Sequence, residues 1–132
     1  MPREPLGMLS HPIGSDSLIN ALPGGNDMLL YAILVFAIAA IGGLVLASSV
    51  LRGKLAPWAI SVLHALLGAS GLVLLILVVL QGAAPGRLAA ALALLVLAAL
   101  GGFFLASFHL RKQVAPKAVV FVHAGVAVVG FL

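Results

Sequence analysis

The stretch Gly42-Gly43-Leu44-Val45-Leu46-Ala47-Ser48, followed by Arg52, Ala56-Pro57 and His64-Ala65, returns 59 residues later. The second copy reads Gly101-Gly102-Phe103-Phe104-Leu105-Ala106-Ser107, then Arg111, Ala115-Pro116 and His123-Ala124. Residues 40–73 align without a gap on residues 99–132, and 14 of those pairs are identical, Gly71 and Gly130 among them. A chain so rich in Leu and Ala would give about four or five matches by composition alone, so the similarity is an internal repeat. Each copy holds two apolar runs joined by a short basic turn. The repeated unit is a helical hairpin.

The runs themselves set the solvent. Residues 28–51 carry no charge, and neither do residues 55–86. Lipid requires about 20 apolar residues per helical crossing. Four spans result, at about 28–51, 57–80, 87–110 and 116–132, the last of them short. The runs are continuous rather than alternating, and too long for barrel strands of about ten residues. Connections of five or six residues make consecutive helices antiparallel neighbours. The expected fold is all-α and membrane-integral, a four-transmembrane-helix bundle of two tandem hairpin repeats. Both copies enter the membrane in the same direction, so a pseudo-two-fold axis runs along the membrane normal.

Composition agrees and removes other classes. Of 132 residues, 64% are hydrophobic and 8% charged, and the mean hydropathy is +1.30. A soluble domain carries roughly a quarter charged residues. The pI near 10.4 does not indicate nucleic acid, because the seven Lys and Arg are scattered and form no patch. With no cysteine there are no disulfides, thiolate metal sites or thiol redox chemistry.

Local signals mark the ends. Asn26-Asp27 suits the N-cap of the first helix, and Pro57 and Pro116 suit the first turns of helices two and four. Gln81 to Gly86 reads as a turn. Residues 1–27 form an extracytoplasmic tail preceding the membrane domain of residues 28–132. Within the tail, residues 15–22 fit either a short surface helix or a loop. No basic segment precedes the first span, which argues against a cleaved signal peptide. Tyr31 and Trp58 read as interface anchors. Arg52, Lys54, Arg111, Lys112 and Lys117 lie on one side of the membrane, and only Arg3 and Arg87 on the other. The positive-inside rule puts the two basic turns in the cytoplasm and both termini outside, as in a bacterial inner-membrane protein.

The expected interior holds His64 and His123 but no carboxylate, which leaves neither a pump-type proton relay nor a Ser–His–acid triad. The chain is expected to be non-catalytic. The repeat places the two imidazoles at one depth on opposite sides of the axis, an arrangement that resembles the axial pair of a b-type haem. In that reading His64 and His123 ligate the iron. Gly42, Gly43, Gly101, Gly102 and Gly68 leave room for the macrocycle, and Arg52 and Arg111 meet its propionates. A related tetrapyrrole with one axial His would use the same geometry. The alternative is a cofactor-free structural subunit, in which small residues such as Ala39, Gly43 and Ala47 serve close helix packing and each His bonds a carbonyl or a serine. A small-molecule transporter stands third. Expected partners are membrane lipids and either a larger membrane complex or further copies of the chain. His109, aligned with Val50, and His11 in the tail are not expected to ligate.

Overall fold

The computed structural model describes residues 23–82 and 86–132. Four helices follow one another: α1 (Gly25–Leu51), α2 (Trp58–Leu80), α3 (Gly86–Leu110) and α4 (Lys117–Phe131). The first three are long and apolar enough to cross a membrane. The fourth has 15 residues, about 22 Å of helix against a hydrocarbon core of about 30 Å. These features identify an integral membrane protein built from helices. The expected surface segment of residues 15–22, and His11, lie outside the described residues.

The repeat is visible in the backbone. α1 ends at Leu51 and α3 at Leu110; α2 begins at Trp58 and α4 at Lys117, each pair 59 residues apart. The turns after α1 and α3 use one hydrogen-bond pattern. Gly53 and Lys112 donate to Val50 and His109 at 2.9 and 3.0 Å, and Lys54 and Gln113 donate to Ser49 and Phe108 at 3.0 and 2.9 Å. This closing loop satisfies carbonyls that the helix end leaves free, and it needs one residue in the left-handed region. Gly53 takes that place at φ 70°, and Lys112 takes it at φ 54° despite its side chain.

Three helix starts differ from expectation. The N-cap of α1 is Gly24 rather than Asn26-Asp27. Gly25 and Asn26 already wind into the helix, and the Met28 N–H donates to the Gly24 carbonyl at 3.0 Å. Asp27 thereby falls in the first turn, where its carboxylate still faces the positive helix end. Pro57 and Pro116 sit at the N-cap, with ψ 127° and 129°, one residue before the expected first turn. That extended ψ delays the helix by a residue, and the missing proline N–H costs nothing at either position.

α1 packs chiefly on α2 and α3 on α4, while lesser α2–α3 and α1–α4 contacts close a ring. The pairs α1/α3 and α2/α4 therefore lie across the diagonals. Each helix is apolar all round, as lipid allows, and only a narrow inward stripe is buried. On α1 that stripe includes Met28, Ala32, Ala39 and Val50; on α2 it includes Gly71, Leu75 and Val78; on α3, Leu95 and Ala98; on α4, Val120 and Gly130. Small residues recur on it because close backbone approach, not expulsion of water, drives association in lipid. Large side chains such as Leu44, Leu80, Phe103 and Val122 point outward. Tyr31 and Trp58 are exposed near helix ends, in keeping with an interfacial position.

Candidate functional site: a histidine pair on the bundle diagonal

His64 lies on the inward stripe of α2, seven residues before buried Gly71, and His123 stands seven before buried Gly130 on α4. Each ring turns to the other helix of its own hairpin. His64 Nδ1 is 2.8 Å from the Ala39 carbonyl oxygen, and His123 Nδ1 is 2.8 Å from that of Ala98. A helical carbonyl already accepts from the N–H four residues on, and the side chain there leans back over it. At that place stand Gly43 and Gly102. With no side chain to cover them, the Ala39 and Ala98 oxygens can each take a second donor.

The fit is close. A Cβ at Gly43 would meet His64 Cε1 at 3.1 Å, and one at Gly102 would meet His123 Cε1 at 3.3 Å. Gly42 and Gly101 are looser, with nearest His atoms at 3.7 and 3.5 Å. The glycine pairs of α1 and α3 thus receive the imidazoles themselves. Beside Gly68, one turn past His64, a Cβ would meet nothing within 4 Å.

The bond also fixes the tautomer. A carbonyl oxygen only accepts, so each Nδ1 carries the proton, and the neutral ring keeps its lone pair on Nε2. Among the described residues no donor reaches either Nε2. The two ring centres are 6.2 Å apart, with their planes at 77°. Both rings are half-buried. This chemistry, two imidazoles with protonated Nδ1 and basic Nε2, is that of paired metal ligands or paired hydrogen-bond acceptors.

The other candidates lie apart from the pair. Arg52 and Arg111 are exposed residues just past the ends of α1 and α3, and their amides donate to Ser48 and Ser107 at 3.2 Å. They stand near the helix ends from which His64 and His123 lie about 10 Å inward. His109 is in the last turn of α3. Ser48, Ser61, Ser70 and Ser107 each bond a carbonyl of their own helix or its cap, so none serves a histidine. Among the described residues no cluster of three or more His, Cys, Asp or Glu forms.

A second contact came without a sequence expectation. Phe36 lies flat against Gly71, where a Cβ would come within 2.8 Å of its ring, and at the equivalent place Leu95 presses on Gly130 at 3.0 Å. The Ala39 and Ala98 carbonyls were likewise not singled out as partners. The available signal was their matched position, four residues before a paired glycine and 25 before a paired histidine.

No protein-family model, curated protein or solved structure matches this chain.

Proposed function

We propose that this chain is a small, non-catalytic subunit of a larger membrane assembly, a duplicated hairpin whose histidines hold its helices together. One observation carries this reading: both imidazoles donate to a carbonyl of the neighbouring helix, at the same distance and over the same 25-residue separation. The glycines opposite are filled by the rings that make these bonds. Broad apolar faces leave surface for lipid and for partner helices. In orientation, the basic turns at 52–56 and 111–115 face the cytoplasm of a bacterial inner membrane. The experiment is purification from native membranes in mild detergent, with identification of what co-elutes. A stoichiometric membrane partner supports the subunit role; a chain that always elutes alone overturns it.

A second reading is favoured by the two Nε2 atoms. One b-type haem would sit between His64 and His123, with the open side of Gly68 as space for part of the ring. It would give the subunit an electron-transfer role, with Arg52 and Arg111 available to propionates. The Nδ1–H···O=C bonds fix the ring orientation and leave the Nε2 lone pair for the iron, as carbonyl partners do for ligating histidines. The visible spectrum separates the two readings. A Soret band with sharp reduced α and β bands, lost in His64→Asn and His123→Asn but kept in His109→Ala, supports haem. A featureless spectrum from cells supplied with haem precursor leaves the structural role alone.

A further inference from the structure

The geometry points to a two-nitrogen site for a bare, soft monovalent cation, copper(I) in chemical class, held linearly between His64 Nε2 and His123 Nε2. The inference uses the same nitrogens as the haem reading but does not rest on it, because a bare ion needs no macrocycle space.

Four observations converge. The backbone bonds at Nδ1 leave each neutral ring one lone pair, on Nε2, and among the described residues nothing donates to either. Each ring sets its Nδ1–Cε1 edge against its own hairpin's helix, α1 or α3, and Nε2 is the ring nitrogen farther from it: a Cβ at Gly43 would stand 3.5 Å from His64 Nδ1 and 3.9 Å from Nε2, and one at Gly102 would stand 3.9 Å from His123 Nδ1 with Nε2 beyond 4 Å. The partner ring lies across the diagonal with its centre 6.2 Å away. With metal–nitrogen bonds of about 2.0 Å and the radius of a five-membered ring, two imidazoles on one ion have centres roughly 6 Å apart. The near-perpendicular planes, at 77°, keep the ring hydrogens beside each nitrogen from clashing across the ion.

The donor count selects the ion. Zinc takes four ligands, and the harder divalent ions take six or more oxygens. Here the described residues offer two nitrogens and no third His, Cys, Asp or Glu. A closed-shell monovalent ion is satisfied by two ligands in line. Imidazole suits copper, and a single positive charge is far cheaper to place among apolar helices than a double one. No redox step is involved, so silver(I) is a suitable probe with the same preference.

The test uses the full chain in detergent, in chloride-free buffer, titrated with silver nitrate and followed by calorimetry and by nitrogen NMR of labelled histidine. His64→Asn and His123→Asn are the informative variants. The asparagine amide reaches along the bond path of Nδ1, so it keeps the donor to Ala39 or Ala98 and removes only Nε2. Expected is one saturating event per chain, with two Nε2 signals shifting while their Nδ1 signals keep the proton. Either Asn variant loses that event, whereas His109→Ala keeps it. The double Asn variant measures background from the three methionines. A parent that matches this background, unshifted Nε2 signals, or equal binding by the single Asn variants overturns the site, as does purification with haem already on both histidines. Failure of the site leaves the structural role intact, because the helix bonds are made at Nδ1.

Discussion

His64 Nδ1 meets the Ala39 carbonyl because Gly43, one turn beyond Ala39, has no side chain to cover that oxygen. Three residues on two helices make one device, and His123, Ala98 and Gly102 repeat it. In lipid an unmet polar group has no water to fall back on, so each member constrains the other two. Interhelical hydrogen bonds of this kind contribute about 0.5–2 kcal/mol.

The donor at Nδ1 can be separated from the ring. His64→Ala removes both and is expected to destabilise the α1–α2 hairpin by about 1–2 kcal/mol. His64→Asn keeps a donor in reach of Ala39 and is expected to recover more than half of that loss. Unfolding in mixed micelles measures both. Equal losses would mean that ring packing, not the bond, holds the helices.

Within each glycine pair the two members are expected to differ. Gly43→Ala brings a methyl to 3.1 Å from His64 Cε1, while Gly42→Ala leaves an ordinary contact at 3.7 Å. The first should push the imidazole from Ala39 and cost about 1–2 kcal/mol, as overpacking does. The second should be neutral or slightly stabilising, since alanine favours helix over glycine. The same order is expected for Gly102 and Gly101, more weakly because the Gly102 contact is 3.3 Å. Reversal in both hairpins would show that the helices turn different faces to each other.

Gly71 and Phe36 should be coupled. A methyl at position 71 would lie 2.8 Å from the Phe36 ring, a distance no packed atoms hold. Gly71→Ala is therefore expected to destabilise the parent by about 2 kcal/mol but to cost little on a Phe36→Ala background. Independent losses in the double-mutant cycle would remove the contact as the cause.

The left-handed residue after each odd helix offers a matched pair. Gly53 adopts φ 70° without steric cost, whereas Lys112 holds φ 54° against its own Cβ. Lys112→Gly is expected to stabilise the second hairpin by up to about 1 kcal/mol, and Gly53→Ala to destabilise the first by a similar amount. Melting temperatures in detergent read both signs. If Lys112→Gly weakens the fold, its side chain makes a compensating contact.

Most of the fold is legible in the sequence. Charges at Asp27, Arg52, Lys54, Arg87 and Arg111 delimit the runs, and the 59-residue repeat fixes the matching of hairpins, so all four helices lie within about three residues of expectation. The cap of α1 was not legible, because Gly24-Gly25 can wind or stay extended and only the neighbouring contacts decide. The site was half legible. The repeat put His64 and His123 at one depth, but their partners are backbone oxygens at Ala39 and Ala98, and a sequence shows no carbonyl more exposed than another. The glycines beside them read as space for a ligand, and the imidazoles occupy that space.

Orientation is testable because the chain has no cysteine, so any introduced thiol is unique. Leu55→Cys and Gln113→Cys place one in each basic turn, and Gly86→Cys places one at the start of α3, all at exposed positions. Arg52, Lys54, Arg111, Lys112 and Lys117 flank the first two sites, and Arg87 alone flanks the third. Cationic loops are retained on the cytoplasmic side during insertion. A membrane-impermeant maleimide added to intact cells is therefore expected to label Gly86→Cys and to miss the other two, which react only after permeabilisation. A reporter fused after Leu132 should read outside. The opposite labelling would put both basic turns outside against five positive charges, and some other signal, in the tail or in a partner, would then have to set the topology.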